Sequence, residues 1–377
     1  MLNFSFSFRL FISFLLFLAS FSSFSQTDSL KQEKHGNAFI RFHRKLIKLA
    51  IQEPKPFYDT NYVKRYSKIF TLGVPIVSKS LRINLQEKVS GNTLQYYPTP
   101  TYSTGLFVNT SLFGFYVMPG FMSIHQGSKR RGTSDFNDYQ LNIYSKRFFF
   151  DISFQIYKGF YLNNTYSYDP YQNQANYYQR SDLSAISGGF NIYYVFNNKR
   201  FSYRAPFSFT QSQIKSAGSF IIGTYLSDFS FTADSSVIDD RIQYMFPNFP
   251  LLKSGNSFST GLSFGYAYTF VLKKRWYITT TLVPGLGFNV NSLEKENLSV
   301  VSGNNTSVKL KYTFGLGYTS HKWFYGCMFT SDSYSSLSAT SPYEINYRLN
   351  RLRFFVGRRL NAKKLEKIIV RKFGIEE

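Results

Sequence analysis

The sequence has almost no cysteine and little histidine. Its single cysteine, Cys327, excludes an intramolecular disulfide within these 377 residues. The histidines lack the spacing of a metal site, so we predict no metal and no cofactor; they are His35, His43, His125 and His321. After residue 25 no apolar run approaches the roughly 20 residues that a transmembrane helix needs, which excludes a helical membrane protein.

The first 25 residues have the pattern of a secretory signal peptide. One positive charge, Arg9, precedes an apolar run over residues 10–19, and the small residues Ser23 and Ser25 follow it. The run is too short to span a membrane, so we expect cleavage after Ser25. No cysteine near this point offers lipid attachment, so the rest of the chain must reach a membrane through its own fold.

Acidic residues are outnumbered. The chain has 21 Asp and Glu against 44 Lys and Arg, which gives a formal net charge of +23. Such an excess of positive charge indicates an anionic partner. This partner would be outer-membrane lipid, including anionic glycolipid, or an anionic solute. Nucleic acid is not expected, because the chain carries an export signal and no nucleic-acid-binding motif. We assign most basic residues to turns and rims beside lipid headgroups.

Four segments alternate bulky apolar residues with small or polar ones, as β-strands do when their two faces differ. Residues 257–271 set Phe264 and five other apolar residues against serine, glycine, alanine and threonine. The same pattern recurs in 276–290, 310–319 and 148–158. Strands this long exceed the roughly five or six residues of soluble strands and suffice to cross a bilayer. The polar face must therefore line an enclosed lumen, and the aromatic face must contact lipid.

Short turns alternate with longer polar loops, as in outer-membrane barrels. Tight turns are predicted near 109–111, 145–147, 197–200, 272–275 and 320–322, and loops near 88–100, 121–134, 161–181, 230–255, 291–304 and 335–346. These six loops and five turns predict an all-β fold, a transmembrane antiparallel β-barrel of about 12 strands. Strand numbers of roughly 10 to 14 remain possible. This count treats 69–87 and 201–229 each as one interrupted element, because Pro75 and Pro206 disfavour continuous pairing. An even strand number puts both termini in the periplasm.

Four regions follow from this plan. They are the signal peptide 1–25, a periplasmic N-terminal segment 26–67, the outer-membrane barrel 68–360 and a basic tail 361–377. In residues 37–52 apolar side chains recur at near-helical spacing among Arg and Lys, which predicts a basic amphipathic helix. We expect it to lie on the membrane surface, with plugging the barrel or binding a periplasmic partner as alternatives. The basic tail 361–377 has the same three possible locations: on the membrane surface, in the barrel or on a periplasmic partner.

Several local strings resemble an uncharacterised family of Bacteroidetes outer-membrane proteins, the domain of unknown function 4421. They are residues 58–60 (YDT), 97–98 (YP), 157–161 (YKGFY) and 215–219 (KSAGS), the last followed by Gly223. The family favours Asn after the proline, where this chain has Thr99. The resemblance covers most of the chain after residue 25 and implies an outer-membrane β-barrel. It implies no activity, substrate or catalytic residue.

One loop holds the residue types of a hydrolase. His125 could act as a base, Ser123 as a hydroxyl nucleophile and Asp135 as the carboxylate that orients the base. Serine and aspartate are plentiful in rim loops, however, and nearness in sequence does not establish a hydrogen-bonded triad. We therefore predict no catalytic residue and keep these three only as candidates.

Charged residues recur on the predicted lumen face. On the last strand three arginines alternate with apolar residues, and a lysine joins them from another segment. The predicted lumen charges are Lys311, Arg351, Arg353, Arg359, Asp138 and Asp151. The four cations could form an anion-selective constriction. The alternative, which we favour, is pairing with the two aspartates in a salt-bridge network that fills a small barrel.

These features favour a non-enzymatic outer-membrane barrel. It would be either a narrow channel for small anionic or polar solutes or a structural barrel that binds a periplasmic protein. Two other interpretations stay open: a rim-active hydrolase acting on glycolipid or peptide, and a soluble exported β-sandwich that binds lipid.

Overall fold

The structure is a computed structural model, which describes residues 58–66, 69–110, 113–117, 123–145, 147–171, 174–247, 251–295, 300–337 and 343–361. The predicted signal peptide, the amphipathic helix at 37–52 and the tail after residue 361 lie outside these ranges. No helix within them is both long enough and apolar enough to cross a membrane.

The described residues are mainly β-strand. In chain order the strands are β1 (Val63–Arg65), β2 (Ile69–Glu87), β3 (Thr93–Tyr97), β4 (Thr101–Thr104), β5 (Leu106–Asn109), β6 (Phe113–Val117), β7 (Ser123–His125), β8 (Asp135–Tyr144), β9 (Phe148–Leu162), β10 (Gln179–Val195), β11 (Gln211–Gln213), β12 (Ala217–Thr232), β13 (Leu252–Leu272), β14 (Trp276–Lys295), β15 (Val300–Thr319), β16 (Trp323–Leu337) and β17 (Tyr343–Asn361). The helices are short: α1 (Ser128–Arg131), α2 (Ala205–Ser208) and the 3₁₀ turns Thr165–Ser167, Asp169–Tyr171 and Asp240–Met245.

One antiparallel sheet of 15 strands closes on itself. The last strand, β17, returns to pair with β2, from Asn361 opposite Ile69 to Tyr343 opposite Glu87. Neither strand is left as a free edge, so their backbone groups bond within the wall as a membrane requires. The fold is therefore a closed barrel, and the β-sandwich alternative is wrong.

The wall between β2 and β9 is built differently at its two ends. At one end β3 alone bridges β2 and β9, which closes a ring of ten strands. Towards the other end β5, β6 and β8 fill the same interval, which makes twelve strands around. The short strands β3, β4 and β5 together act as one interrupted crossing of the wall, and β6 and β7 together act as another. The predicted barrel of about 12 strands is thus confirmed.

Two details of the predicted strand plan are wrong. Segment 69–87 is one unbroken strand, in which Pro75 takes its place opposite Phe355 without ending the ladder. Segment 201–229 is not one strand, because only residues from Ala217 onward belong to the wall. The predicted tight turn at 197–200 leads instead into residues 201–216, here called the plug segment.

The barrel has two unlike rims. At the turn-side rim, turns 273–275 and 320–322 join consecutive strands by three residues each. Both ends of the wall, Ile69 and Asn361, also lie at this rim. At the opposite, loop-side rim, the longer loops 163–178 and 233–251 join the strands.

The outer wall is apolar, and the inner wall is lined by small and polar residues. In β13, Leu262 and Phe264 are 68% and 57% exposed, whereas Ser263 between them is 2% exposed. In β14, Leu286 and Phe288 are 65% and 80% exposed. A continuous apolar surface of this kind belongs in hydrocarbon rather than in water. The fold is a transmembrane β-barrel, as the alternation predicted.

A charge on this outer face should destabilise the barrel. Leu262 lies midway along β13 opposite Leu286, so we expect Leu262→Arg to lower the free energy of unfolding in lipid vesicles by about 2–4 kcal/mol. Urea titration monitored by gel mobility measures it. The control is Val89→Arg, an exposed residue in the turn after β2, which should change stability little. Equal effects of the two substitutions would contradict a lipid-facing position for Leu262.

Candidate functional site

The plug segment fills the turn-side half of the lumen with aromatic side chains. Phe209 stacks on the inward-facing Phe324 with 4.1 Å between ring centroids, and it lies 4.9 Å from Phe355. Tyr203 contacts Phe149 of the wall at 4.9 Å. Phe209 and Phe324 are fully buried. The lumen at this end is therefore closed by residues that the sequence pattern assigned to a strand.

Local sequence explains why this segment leaves the wall. Pro206 occupies the first turn of α2, where its fixed φ suits a helix and its missing N–H costs nothing. The helix ends at Phe209, whose φ of 57° is left-handed. A bulky residue in this conformation costs about 1–3 kcal/mol unless its surroundings hold it there. The stacked ring and the bonded carbonyl of Phe209 provide that hold.

Polar bonds attach the plug segment to the wall. Arg359 donates from Nε to the Phe209 carbonyl at 2.7 Å and from Nη2 to Thr319 Oγ1 at 2.7 Å. Thr71 Oγ1 donates to the Ser208 carbonyl at 3.0 Å. The plug segment also pairs with the chain before the barrel, because β11 and β1 form a two-stranded antiparallel sheet. Arg359, one of the predicted lumen cations, thus holds the plug segment.

A layer of ion pairs crosses the lumen above the plug segment. Lys311 bonds to Asp151 at 2.9 Å and to Asp332 at 3.0 Å. Asp138 Oδ2 forms ion pairs with Lys79 Nζ at 2.7 Å and with Arg351 Nη2 at 3.2 Å. Of these six residues, sequence reasoning identified four and missed Lys79 and Asp332. Lys79 could have been found from its inward register in β2, since Val77 and Leu81 on either side of it are buried too.

Lys309 is a buried cation without a carboxylate in the described structure. Its Nζ donates to Asn191 Oδ1 and lies 4.8 Å and 5.2 Å from the ring centroids of Tyr225 and Tyr334. Aromatic faces and an amide oxygen stabilise an ammonium group in such a site. The sequence alternation places Lys309 inward with Lys311, but it gave no reason to single this residue out.

A chamber lies between the plug segment and the ion-paired layer. It is lined by Tyr116, Gln140, Asn142, Phe149, Asp151, Tyr203, Phe207, Lys311, Thr313, Met328, Thr330, Arg351 and Arg353. The volume open to the centre of a water molecule is about 40 Å³. That is room for a few waters or one very small solute.

The loop-side half of the lumen is packed with apolar residues. Val237, Ile242 and Phe246 of loop 233–251 are fully buried against residues of the wall. Tyr96 of β3 donates its hydroxyl to the Val237 carbonyl. Within the loop, burial tends to raise the pKa of Asp239, but hydrogen bonds from Arg241, the shortest at 2.7 Å, hold that pKa below its usual value. The second rim is therefore covered by a folded loop.

The turn-side rim carries a ring of exposed basic side chains. Ten lie on its described turns and strand ends: Lys64, Arg147, Lys199, Arg200, Lys215, Lys273, Lys274, Arg275, Lys322 and Arg358. Asp59 is the only carboxylate on the same described segments outside the lumen. The loop-side rim mixes both signs, with Lys88 paired to Glu344 at 2.9 Å and Arg241 paired to Asp239 at 2.7 Å. We call the ten cations the basic ring.

An aromatic girdle borders the basic ring on the outer wall. Trp276, Tyr318 and Tyr325 lie within about 5–6 Å of one another by ring centroid, and Trp323 is 49% exposed nearby in sequence. The guanidinium of Arg358 lies 5.4 Å from the Trp323 ring. Amphipathic rings of this kind mark the level of lipid headgroups in membrane barrels.

The three rim candidates for a hydrolase do not bond to one another in the described structure. Ser123 Oγ lies 2.8 Å from Ser103 Oγ, and His125 Nε2 lies 2.7 Å from the Ser134 carbonyl oxygen. Asp135 is exposed opposite Lys158 in β9. His125 therefore contacts a backbone oxygen where a triad would need the serine. No group of three metal-ligating side chains occurs within the described ranges.

The closed wall, the apolar outer face and the filled lumen define the class of protein. It is a transmembrane β-barrel with an internal plug. The chain belongs to the family described as domain of unknown function (DUF4421), which matches residues 57–359, and the predicted resemblance is confirmed. No curated protein matches the sequence.

Solved structures similar to this chain include a toluene transporter, a FadL homologue and the translocator domain of an autotransporter, each at 8% identity. The Pseudomonas putida toluene transporter TodX aligns over 78% of this chain and 91% of its own, with a TM-score of 0.26. A Pseudomonas aeruginosa FadL homologue covers 79% and 91% at 0.25, and the translocator domain of the autotransporter NalP from Neisseria meningitidis covers 86% and 96% at 0.26. Scores this low establish neither a shared topology nor a shared function.

Proposed function

We propose that the protein is a structural barrel of a bacterial outer membrane, closed to solutes, whose basic ring binds anionic phospholipid headgroups. The observation that carries this proposal is the position of the basic ring, ten exposed cations at one rim beside the aromatic girdle. Basic residues near an anionic membrane surface contribute about 1 kcal/mol each. A ring of them would hold the barrel at a fixed depth and attract anionic lipid around it.

The girdle favours lipid over an acidic protein as the partner of the basic ring. Trp276 and Trp323 follow turns 273–275 and 320–322 directly, so the cations of those turns are within one or two residues of the headgroup level. Arg275 Nη1 also donates to the Tyr318 hydroxyl at 3.1 Å, which keeps that guanidinium beside the wall. A docked protein would need these cations to point away from the membrane.

The filled lumen favours a structural role over a channel. The plug segment, the ion-paired layer and the packed loop-side half follow one another along the axis, and the chamber has room for only a few waters or one very small solute. A gated channel is the second candidate, favoured by the chamber itself, because movement of the plug segment would open it to the turn-side solution. The rim-active hydrolase gains no support from the contacts of Ser123 and His125.

Location and orientation complete the proposal. The export signal expected in residues 1–25 and the closed barrel are typical of outer-membrane proteins. Short turns face the periplasm in such barrels, so the turn-side rim and both chain ends would lie there. The basic ring would then meet the phospholipid leaflet.

The proposal is tested by quenching of the two tryptophans of the chain, which both lie in the girdle. Brominated phosphatidylglycerol in phosphatidylcholine vesicles should quench the folded protein more than brominated phosphatidylcholine at the same mole fraction. The triple variant Lys273→Gln, Lys274→Gln, Arg275→Gln should lose much of this preference, up to about 3 kcal/mol at roughly 1 kcal/mol per residue. High salt should reduce the preference of the wild type.

The matched control is the triple variant Lys129→Gln, Arg130→Gln, Arg131→Gln. It removes three consecutive cations at the loop-side rim, the end of the barrel opposite to the tryptophans. It should keep the preference. Equal quenching by the two lipids in the wild type would contradict lipid binding and leave an acidic protein as the partner of the basic ring.

A further inference from the structure

One buried charge in the chamber has no counter-charge. Arg353 points inward from β17 and is 8% exposed. Its Nη2 lies 3.4 Å from Met328 Sδ, and its Nε has no hydrogen-bond partner. The rings of Tyr116 and Phe355 lie 5.0 Å and 5.6 Å from the guanidinium carbon. Within the described ranges no carboxylate pairs with this guanidinium.

The neighbouring carboxylates already form ion pairs with other cations. Lys311 lies between Asp151 and Asp332, and Arg351 shares Asp138 with Lys79. The chamber lining therefore has three cations and one carboxylate. A buried lysine could lose its proton, but a guanidinium stays charged. With Lys79, Asp138 and Asp332 counted too, four cations meet three carboxylates, and an anion that enters the chamber would balance the remaining charge.

The chamber sets the size and the chemistry of that occupant. A planar guanidinium binds a carboxylate through two parallel hydrogen bonds, which suits a planar oxyanion better than a spherical ion. The lining amide of Asn142 and hydroxyl of Thr330 supply further donors. Phe149, Tyr203 and Phe207 limit the space to about 40 Å³ open to water centres. A larger anion would clash with these rings.

We infer that the chamber is a binding site for one small carboxylate of the size of formate, held by Arg353. The site is independent of lipid binding at the basic ring. It exists in the resting barrel, with the plug segment in place, and the plug segment contributes two of its rings. The bound anion would contribute to stability, because it neutralises a guanidinium that the fold leaves without a partner.

The test is the unfolding midpoint of the detergent-solubilised, full-length protein, refolded in the presence of formate so that the anion can be enclosed. A ligand that binds only the folded state raises the midpoint with its concentration. We expect a saturable rise with formate and none with gluconate, a carboxylate too large for the chamber, at the same ionic strength. Conversion between folded and unfolded gel bands reports the midpoint.

Variants assign the effect to the guanidinium. Arg353→Gln should abolish the formate-dependent rise, and Arg353→Lys should reduce it, because the charge remains without the planar pair of donors. The control Arg348→Gln removes an exposed arginine from the same strand and should keep the full rise. The inference is overturned if the wild type shows no saturable rise or if Arg353→Gln and Arg353→Lys keep it unchanged. If Arg353→Gln does not fold, Arg353→Lys against Arg348→Gln decides.

Discussion

Replacement of residues 198–217 by Asn-Gly is expected to open the chamber to the turn-side solution without making a pore. The strand ends already lie side by side: Phe196 N donates to the Phe220 carbonyl at 3.2 Å, and Asn197 Nδ2 donates to the Gly218 carbonyl at 2.9 Å. Asn-Gly is a favoured two-residue hairpin turn, so β10 and β12 can be joined directly. The loop-side half stays packed, so no path should cross the barrel.

Thiol labelling measures the opening. Thr330 lines the chamber, and Thr330→Cys in a Cys327→Ser background gives one target. A membrane-impermeant methanethiosulfonate reagent should leave this cysteine unmodified in the intact barrel and modify it in the variant without the plug segment. His321→Cys, in an exposed turn, is the control and should be modified in both.

Planar-bilayer recording tests the expectation that removal of the plug segment makes no pore. Neither the intact barrel nor the variant without the plug segment should give steady conductance. A conducting intact barrel would contradict the closed lumen. Anion preference that falls in Arg351→Glu and Arg353→Glu would then establish the channel alternative.

Lys311→Met is expected to lower the free energy of unfolding by about 3–5 kcal/mol, the usual cost of removing one partner from a buried ion pair. Lys311 is the shared partner of Asp151 and Asp332, and its side chain is 5% exposed. Methionine has a similar shape but leaves two carboxylates in the lumen without their cation. Equilibrium urea unfolding in lipid vesicles measures the change.

Two further variants separate charge pairing from packing. Lys322→Met replaces an exposed lysine in a turn and should change the unfolding free energy little. Adding Asp151→Asn and Asp332→Asn to Lys311→Met should recover much of the loss, because the uncompensated charges disappear. No recovery in this triple variant would show that Lys311 acts through its packing.

The wall of the barrel could be predicted from the sequence because strand alternation is local. Phe264 and Phe314 are exposed on the outer face, and Ser263 and Thr313 are buried, as their register implies. The six predicted lumen charges all lie inside the barrel. For five of them the direction follows from the alternation of neighbouring residues, whereas Asp138 was expected there as a pairing partner of the cations.

The pairing inside the lumen could not be predicted in the same way. Asp151 and Lys311 are 160 positions apart and meet only because the sheet closes and brings facing walls together. Lys79 and Asp138 also come from strands that are not neighbours in the ladder, whereas Asp332 lies directly opposite Lys311 on the adjacent strand β16. Ser123 and His125 show the reverse case: they are close in sequence, but their side chains bond to Ser103 and to the Ser134 carbonyl.

The plug segment is the largest difference between prediction and structure. Residues 201–216 contain apolar and aromatic residues in a spacing that is compatible with a strand, and Pro206 indicated only an interruption. Their place is set by Arg359, Thr71 and the ring of Phe324, which come from opposite ends of the chain. The space that they fill does not exist until β17 pairs with β2.

The sequence by itself predicted an export signal, and it determined that the strands face lipid on one side and that the charges of the wall face inward on the other. Each of these follows from side chains one or two positions apart, where the extended backbone fixes direction. Only the tertiary structure decided that the lumen is closed and which of the described cations have no carboxylate beside them. Those properties depend on contacts between segments that barrel closure brings together.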